Sequence, residues 1–361
     1  MATKVLFPLR LVCHETPDVK SPAMTAAPPA PAPDPATPFK AAKTLVTGGF
    51  GLIGSALTRR LVAAGSQVRV LDNLEPDSGA NRANLEGLEG RIEAVISDLR
   101  DVDAVRRALA GRDVLFNLAA QTSHLGSMQA PLADLDVNAR AQLALLEAAR
   151  AVNPGLRIVF ASTRQIYGKP DYLPVDERHP LRPVDVNGID KLAAEAFHLL
   201  YQRVHGLRTT ALRLTNTYGP GMRVRDARQT FVGVWLRAVL EGRPFELWGG
   251  EQKRDFSFVE DAADAFLSAA ATPETEGGVY NIGGDGALTL RELAEALVAA
   301  NGGGHFVVKE FPPERKAIDI GDYWADDTTF RRATGWRPRI GIRSGLEKSL
   351  DFFRTRLPNY V

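Results

Sequence analysis

Three glycines spaced three apart, Gly48, Gly51 and Gly54 in Thr47-Gly48-Gly49-Phe50-Gly51-Leu52-Ile53-Gly54, carry the strongest chemical signal in the chain. A β-rich run, Thr44 to Thr47, leads into them, and a helical pattern from Ile53 to Ala64 follows. In that setting the first glycine permits a tight turn, the second lets backbone N–H groups approach a pyrophosphate, and the third lets the helix pack on the strand. The phosphates then lie at the positive end of a helix. Eighteen positions past Gly54, at the close of the next β-rich run, stands Asp72. A carboxylate there accepts hydrogen bonds from ribose hydroxyls and repels a 2′-phosphate, so NAD is expected in preference to NADP. The expected cofactor contacts also include Phe50, Leu52 and Ile53 in the turn, Asn73 beside Asp72, and Asp98 and Leu99 after the third run. Leu118, Ala119, Ala120 and Gln121 after the fourth complete them. Asp98 is placed to meet the adenine, and Ala119 and Ala120 are small enough for close approach.

These residues need a parallel sheet to hold them. β-rich runs at Thr44–Thr47, Gln67–Leu71, Ile92–Ser97, Asp113–Leu118, Arg157–Ala161 and Thr209–Leu214 alternate with apolar-periodic segments at Ile53–Ala64, Asp134–Ala151 and Asp190–His205. This order predicts an α/β fold, a doubly wound parallel sheet with helices on both faces. After Asn216 the elements shorten and Gly-rich breaks multiply, as at Gly249–Gly250 and Gly302–Gly304, which predicts a smaller C-terminal α/β substrate-binding lobe. The expected division is a tail over 1–40, a dinucleotide-binding domain over 41–216 and the lobe over 217–361. Helices at Gln229–Leu240 and Asp261–Ala271 need the main sheet to cover their apolar faces, so some of the lobe is expected to return to it.

With 361 residues, 45% of them hydrophobic, the chain can bury a sizeable core. Its 44 Lys and Arg nearly balance its 43 Asp and Glu, so it lacks the basic field that nucleic-acid binding requires. The single cysteine, Cys13, excludes an internal disulfide framework and a thiolate metal cage, and no metal is expected. The run from Ser21 to Pro38 is mostly Pro and Ala and predicts disorder. Pro8 and Arg10 interrupt the apolar start too early for a secretory leader, and no window suits a bilayer span, so no membrane partner and a cytoplasmic location are expected.

The chain resembles the extended short-chain dehydrogenase/reductases, and within them the NAD-dependent nucleotide-sugar epimerase/dehydratase branch. The resemblance rests on Thr47–Gly54, Asp98-Leu99-Arg100-Asp101, Leu118-Ala119-Ala120-Gln121 and Tyr167-Gly168. It continues through Leu212–Pro220, Arg254-Asp255-Phe256 and Tyr280-Asn281-Ile282-Gly283, covering about residues 43–355. It implies a Rossmann fold, a homodimer, a nucleotide-diphosphate sugar as substrate, and hydride removal by NAD to give a transient keto-sugar. Loss of hydride requires loss of the hydroxyl proton, so a base and a donor must sit near the nicotinamide. In the family these are a Tyr, a Lys four residues later, and a Ser or Thr closing the fifth strand. The resemblance puts the last two at Lys191, which also binds nicotinamide ribose, and at Thr163.

At the tyrosine position the chain has Asn187, in Val186-Asn187-Gly188-Ile189-Asp190-Lys191. An amide can donate and accept hydrogen bonds but cannot serve as general base near neutral pH. Three accounts stay open. Another group takes the proton, with His124 in the loop after the fourth strand ahead of Asp185 and Asp190; a water held by Asn187 relays to Lys191; or the protein binds without turnover. Family dehydratases carry an acidic pair after the Thr, where this chain has Arg164 and Gln165, so an epimerase is favoured over a dehydratase, decarboxylase or net dehydrogenase. On the substrate side the resemblance assigns Asn216, Gln229, Arg254, Arg315 and Lys316 to the nucleotide diphosphate.

Overall fold

Twelve strands and their connecting helices are described in a computed structural model covering residues 34–76 and 78–361; Cys13 and the tail as far as Pro33 lie outside the described residues. The strands are β1 (Lys43–Thr47), β2 (Gln67–Asp72), β3 (Ile92–Ile96), β4 (Val114–Asn117), β5 (Arg157–Thr163), β6 (Arg208–Leu214), β7 (Asn216–Tyr218), β8 (Phe245–Trp248), β9 (Lys253–Phe258), β10 (Val279–Ile282), β11 (Ala287–Thr289) and β12 (Phe306–Lys309). Seven of them form one sheet in the order β10-β6-β5-β4-β1-β2-β3, and every pairing in it is parallel. β4 is buried along its whole length, so its sequence is a continuous apolar run rather than an alternation.

The chain leaves β1 toward β2 on one side, while β4 pairs on the other. The crevice at their C-terminal ends is the switch point where open α/β sheets bind ligands. Gly48 follows β1, Leu118 follows β4, Thr163 ends β5 and Asn216 follows β6, so one edge of the sheet collects the residues singled out above.

The helix Leu52–Ala63 buries Leu57 and Leu61 and packs against the helix Val259–Ala271, which belongs to the C-terminal part of the chain. β10 likewise joins the main sheet beside β6. The remaining strands pair as β11-β9-β7 and β12-β8 over a core that includes Trp235, Phe258, Leu297 and Leu350. Leu52 from the first helix is part of that core.

Several boundaries differ from the expectation. Residues 34–40, expected within the tail, belong to the folded body: Ala36 and Phe39 are buried, Phe39 meets Phe116 at 5.8 Å between ring centroids, and Asp34 pairs with Arg60. The apolar Ala36 and Phe39 give this stretch something to bury, which composition averaged over the tail conceals. The expected helix over Asp134–Ala151 starts earlier, as Pro131–Leu135, passes through a wider turn at Asp136–Arg140 and continues as Ala141–Val152. Val186–His205 also begins before Asp190, because the Asp185 side chain accepts from Gly188 N and caps it. His124, expected in a loop, opens a short helix, His124–Gln129, whose Ser123 cap accepts from Gly126 N.

Candidate active site

The glycine turn is tight enough to exclude side chains. Gly48 has φ +69°, and a Cβ on Gly54 would lie 2.1 Å from the Gly48 carbonyl oxygen. A Cβ on Gly48 would meet Ala119 N at 2.9 Å, so the ends of β1 and β4 are in close contact. Thr47 Oγ1 reinforces that contact, donating to Asn117 Oδ1 at 2.8 Å and accepting from the N–H groups of Leu118 and Ala119. Asp72 is buried at the end of β2, where it accepts from Phe50 N at 3.0 Å and Leu74 N at 2.9 Å. Burial pushes its carboxyl up, and the two backbone donors oppose the shift. Each of its oxygens still has a free lone pair. Asn73 Nδ2 donates to Asp98 at 2.9 Å, which joins two residues expected at the adenosine end. Hydrogen bonding from Arg100 holds Asp98 well below the usual carboxylate range. Gln121 is fixed through its backbone: its N–H donates to Asn138 Oδ1 at 3.0 Å and its carbonyl accepts from Asn138 Nδ2 at 2.9 Å.

At the next position along the sheet edge, Thr163 ends β5 and its hydroxyl accepts from Gln165 N. The Lys191 ammonium is buried, donates to the Ala161 carbonyl and lies 4.2 Å from the centre of the Phe160 ring. Burial lowers its pKa to about 8 against the opposing charges of Asp134 and Glu195.

Asn187 is buried and its amide is occupied: Nδ2 donates to the Gln121 carbonyl at 2.9 Å and to Asp134 Oδ2 at 3.4 Å. His124 Nδ1 lies 2.9 Å from Asp185 Oδ2, with the histidine side chain 39% exposed and the carboxylate fully covered. Asp185 also accepts from Gly188 N at 2.7 Å and Gln165 Nε2 at 2.8 Å. Burial pushes the Asp185 carboxyl up, but His124 and these donors outweigh it and leave the pKa below the ordinary value. Asp190, also buried, sits beside Asp134; burial, then the hydrogen bond and charge of that neighbour, raise its pKa to about 7.

Of the expected substrate residues, Asn216 and Arg254 come together with Arg164. Arg164 Nη2 donates to Asn216 Oδ1 at 2.8 Å, and Arg254 is near enough to lower the basicity of Arg164. Gln229 instead accepts from Arg223 N at 3.0 Å and lies against Gly79. Arg315 stacks over Trp248 at 4.6 Å and Lys316 is exposed; neither bonds to Asn216 or Arg254 among the described residues. Sequence spacing gave no sign of Asp134 or Tyr323, or of the pairing of Asp185 with His124. Among the described residues no group of three or more His, Cys, Asp or Glu side chains could hold a metal.

Residues 44–283 match the NAD-dependent epimerase/dehydratase family. The chain belongs to that family. A UDP-glucose 4-epimerase of Mycolicibacterium smegmatis is 32% identical over 316 residues, 87% of this chain and 99% of that protein. A dTDP-glucose 4,6-dehydratase of Streptomyces niveus is 31% identical over 320 residues, 86% of this chain and 93% of that protein. The solved UDP-glucose 4-epimerase of Thermus thermophilus in complex with NAD superposes with a TM-score of 0.76 at 33% identity, covering 86% of this chain and 99% of that one. NAD is the cofactor of this family member, and the close glycine turn and the carboxylate of Asp72 fit it. No helix among the described residues is long and apolar enough to cross a membrane.

Proposed function

We propose that this member of the epimerase/dehydratase family is a nucleotide-sugar epimerase in which His124, oriented by Asp185, replaces the family tyrosine as general base. The observation that carries the reading is the 2.9 Å contact between His124 Nδ1 and a fully covered carboxylate. With Asp185 beside Nδ1, the ring proton is favoured on that nitrogen and Nε2 keeps its lone pair for the reacting hydroxyl. Asp185 also stabilises the imidazolium formed when that proton is taken, as carboxylates do in histidine-based catalysis. Asn187 cannot compete, because it is an amide whose N–H groups are already engaged.

NAD, when bound, supplies reversible hydride exchange with a sugar carbon. Thr163 holds the hydroxyl of that carbon by hydrogen bonding, and Lys191 adds positive potential beside it. His124 Nε2 takes the hydroxyl proton as the carbon becomes a ketone, then returns it once hydride has been restored to the opposite face. Substrate and product thus have the same mass. Gln165 supports this reaction over elimination of water, since it occupies an acidic position of the dehydratases and donates to Asp185. A homodimer is part of the proposal, supported by an exposed apolar stripe formed by Ile189, Leu200 and Val204 on one helix, with Met128, Leu132 and Leu135 exposed on the segment packed beside it.

Incubation with a panel of nucleotide sugars, followed by NMR and mass measurement, tests the reaction. A new stereocentre at unchanged mass is the expected outcome, and NAD consumed in proportion to product would instead identify a dehydrogenase. If no sugar turns over until Asn187→Tyr is introduced, the chain is a binder that lacks a base.

A further inference from the structure

Three buried polar atoms left without a partner gather where β5 ends and β7 begins: Arg164 Nη1, Asn216 Nδ2 and Tyr323 Oη. The guanidinium of Arg164 links them. Its Nη2 donates to Asn216 Oδ1 at 2.8 Å, and its central carbon stands 5.4 Å from the centre of the Tyr323 ring. An arginine can only donate, so the atom of Asn216 that faces it must be the carbonyl oxygen, which leaves the NH2 group as the orphan. Tyr323 is fully buried. All three orphans can therefore donate, and none of them has an acceptor in hydrogen-bonding geometry.

Charge points the same way. Arg164 forms no ion pair among the described residues, and its pKa falls to about 10 through burial and then repulsion from Arg254. Asp255 and Asp319 are close enough to oppose that fall but pair with other groups: Asp255 Oδ1 accepts from Thr215 Oγ1 and Oδ2 from Ala325 N. Arg254 has its own partner in Asp319 at 2.8 Å. A buried guanidinium with no ion pair of its own, beside carboxylates that serve other donors, favours an anion that arrives with a ligand. Arg164 directly follows Thr163, the residue proposed to hold the reacting hydroxyl, so that anion lies close to the reacting carbon.

We propose that Arg164, with Asn216 and Tyr323, binds a carboxylate on the sugar ring, so that the substrate is a nucleotide-diphosphate uronate rather than a neutral hexose. The inference rests on the nucleotide-sugar reading above and names its substrate class. The β-phosphate of the substrate is the other oxyanion within the same molecule, and Arg254, already held by Asp319, is the residue the family resemblance assigns to it.

Calorimetric titration of the NAD-loaded protein separates the two. The probes are UDP-glucuronate, UDP-galacturonate and GDP-mannuronate against UDP-glucose, UDP-galactose and GDP-mannose, with UDP and GDP alone as controls. The parent should bind at least one uronate about ten- to a hundredfold more tightly than its neutral counterpart, the range expected of charge-assisted hydrogen bonds. Arg164→Met should abolish that preference while leaving UDP or GDP affinity unchanged, and Tyr323→Phe should reduce it. Equal affinity for acid and neutral sugars in the parent overturns the proposal, as does measurable binding of none of the six. Equal weakening of nucleotide and sugar by Arg164→Met also overturns it, because the arginine would then serve the diphosphate. A uronate preference without turnover upholds the site and refutes the epimerase reading instead.

Discussion

His124 and Asn187 carry opposite expectations for activity and stability, which makes them separable. His124 is half exposed, so His124→Ala should leave the melting temperature nearly unchanged while lowering kcat by about 10² to 10⁴, the usual effect of losing a general base. Asn187→Ala removes the donor to Asp134 Oδ2 and one of the two donors to the Gln121 carbonyl, and should cost about 1 to 3 kcal/mol of stability while kcat falls far less. Unfolding melts and steady-state rates on the same two variants give the answer; a His124→Ala enzyme with full kcat would remove histidine from the mechanism. Asp190 supports a prediction of another kind. Its folded pKa of about 7 lies above the value of about 4 for an unfolded aspartate, so between those values the folded chain holds a proton that the unfolded chain has lost. Stability from this group is therefore greatest below the unfolded pKa and falls as pH rises through the folded one. Asp190→Asn should melt higher than the parent at pH 8, with the gap closing toward pH 4. A gap independent of pH would show that Asp190 does not titrate in this range.

The first turn and helix show how much one short segment can determine. In β1, the glycine turn and the helix Leu52–Ala63, the contact that requires Gly54 is with backbone only a few residues away and follows from local sequence, whereas Gly48 is also pressed by the distant backbone of Ala119. Gly54→Ala puts a methyl group 2.1 Å from the Gly48 carbonyl oxygen and 2.8 Å from Gly49 Cα, and backbone cannot move aside as a flexible side chain can. The variant should lose about 1 to 3 kcal/mol of stability, the usual range for forced overpacking, and bind NAD at least about tenfold less tightly. Thermal melts with NAD titration check this, and an unchanged affinity would mean that the turn opens without harm to the cofactor site. The helix Val186–His205 behaves differently. Its start, expected at Asp190, lies at Val186 behind the Asp185 cap, and what its inner face meets depends on the segment 124–152 laid against it.

For the whole molecule, the apolar stripe bears on assembly. Ile189 is 54% exposed, Val204 60% and Leu132 75%, an unusual set on neighbouring helices of a folded monomer. Ile189→Glu should convert the proposed dimer to monomer in sedimentation velocity without lowering its melting temperature at matched monomer concentration. A parent that sediments as a monomer would refute the dimer. The same scale separates what could be read early from what could not. Six strands of the main sheet, the glycine turn, the carboxylate closing β2 and membership of the family were legible in the sequence, because periodicity, turn chemistry and short-range spacing are properties of neighbouring residues. Asn187 was visible as well, at the position where the family resemblance expects a tyrosine. The base proposed in its place was only half legible: His124 stood out as an imidazole in the loop after the fourth strand, but its carboxylate neighbour, Asp185, lies at the start of a different helix. Asp134 beside Asp190, and Tyr323 beside Arg164 and Asn216, left no pattern in the chain at all. Which buried donor meets which acceptor depends on how distant segments pack, and only the tertiary structure decided that Arg164 has no carboxylate of its own.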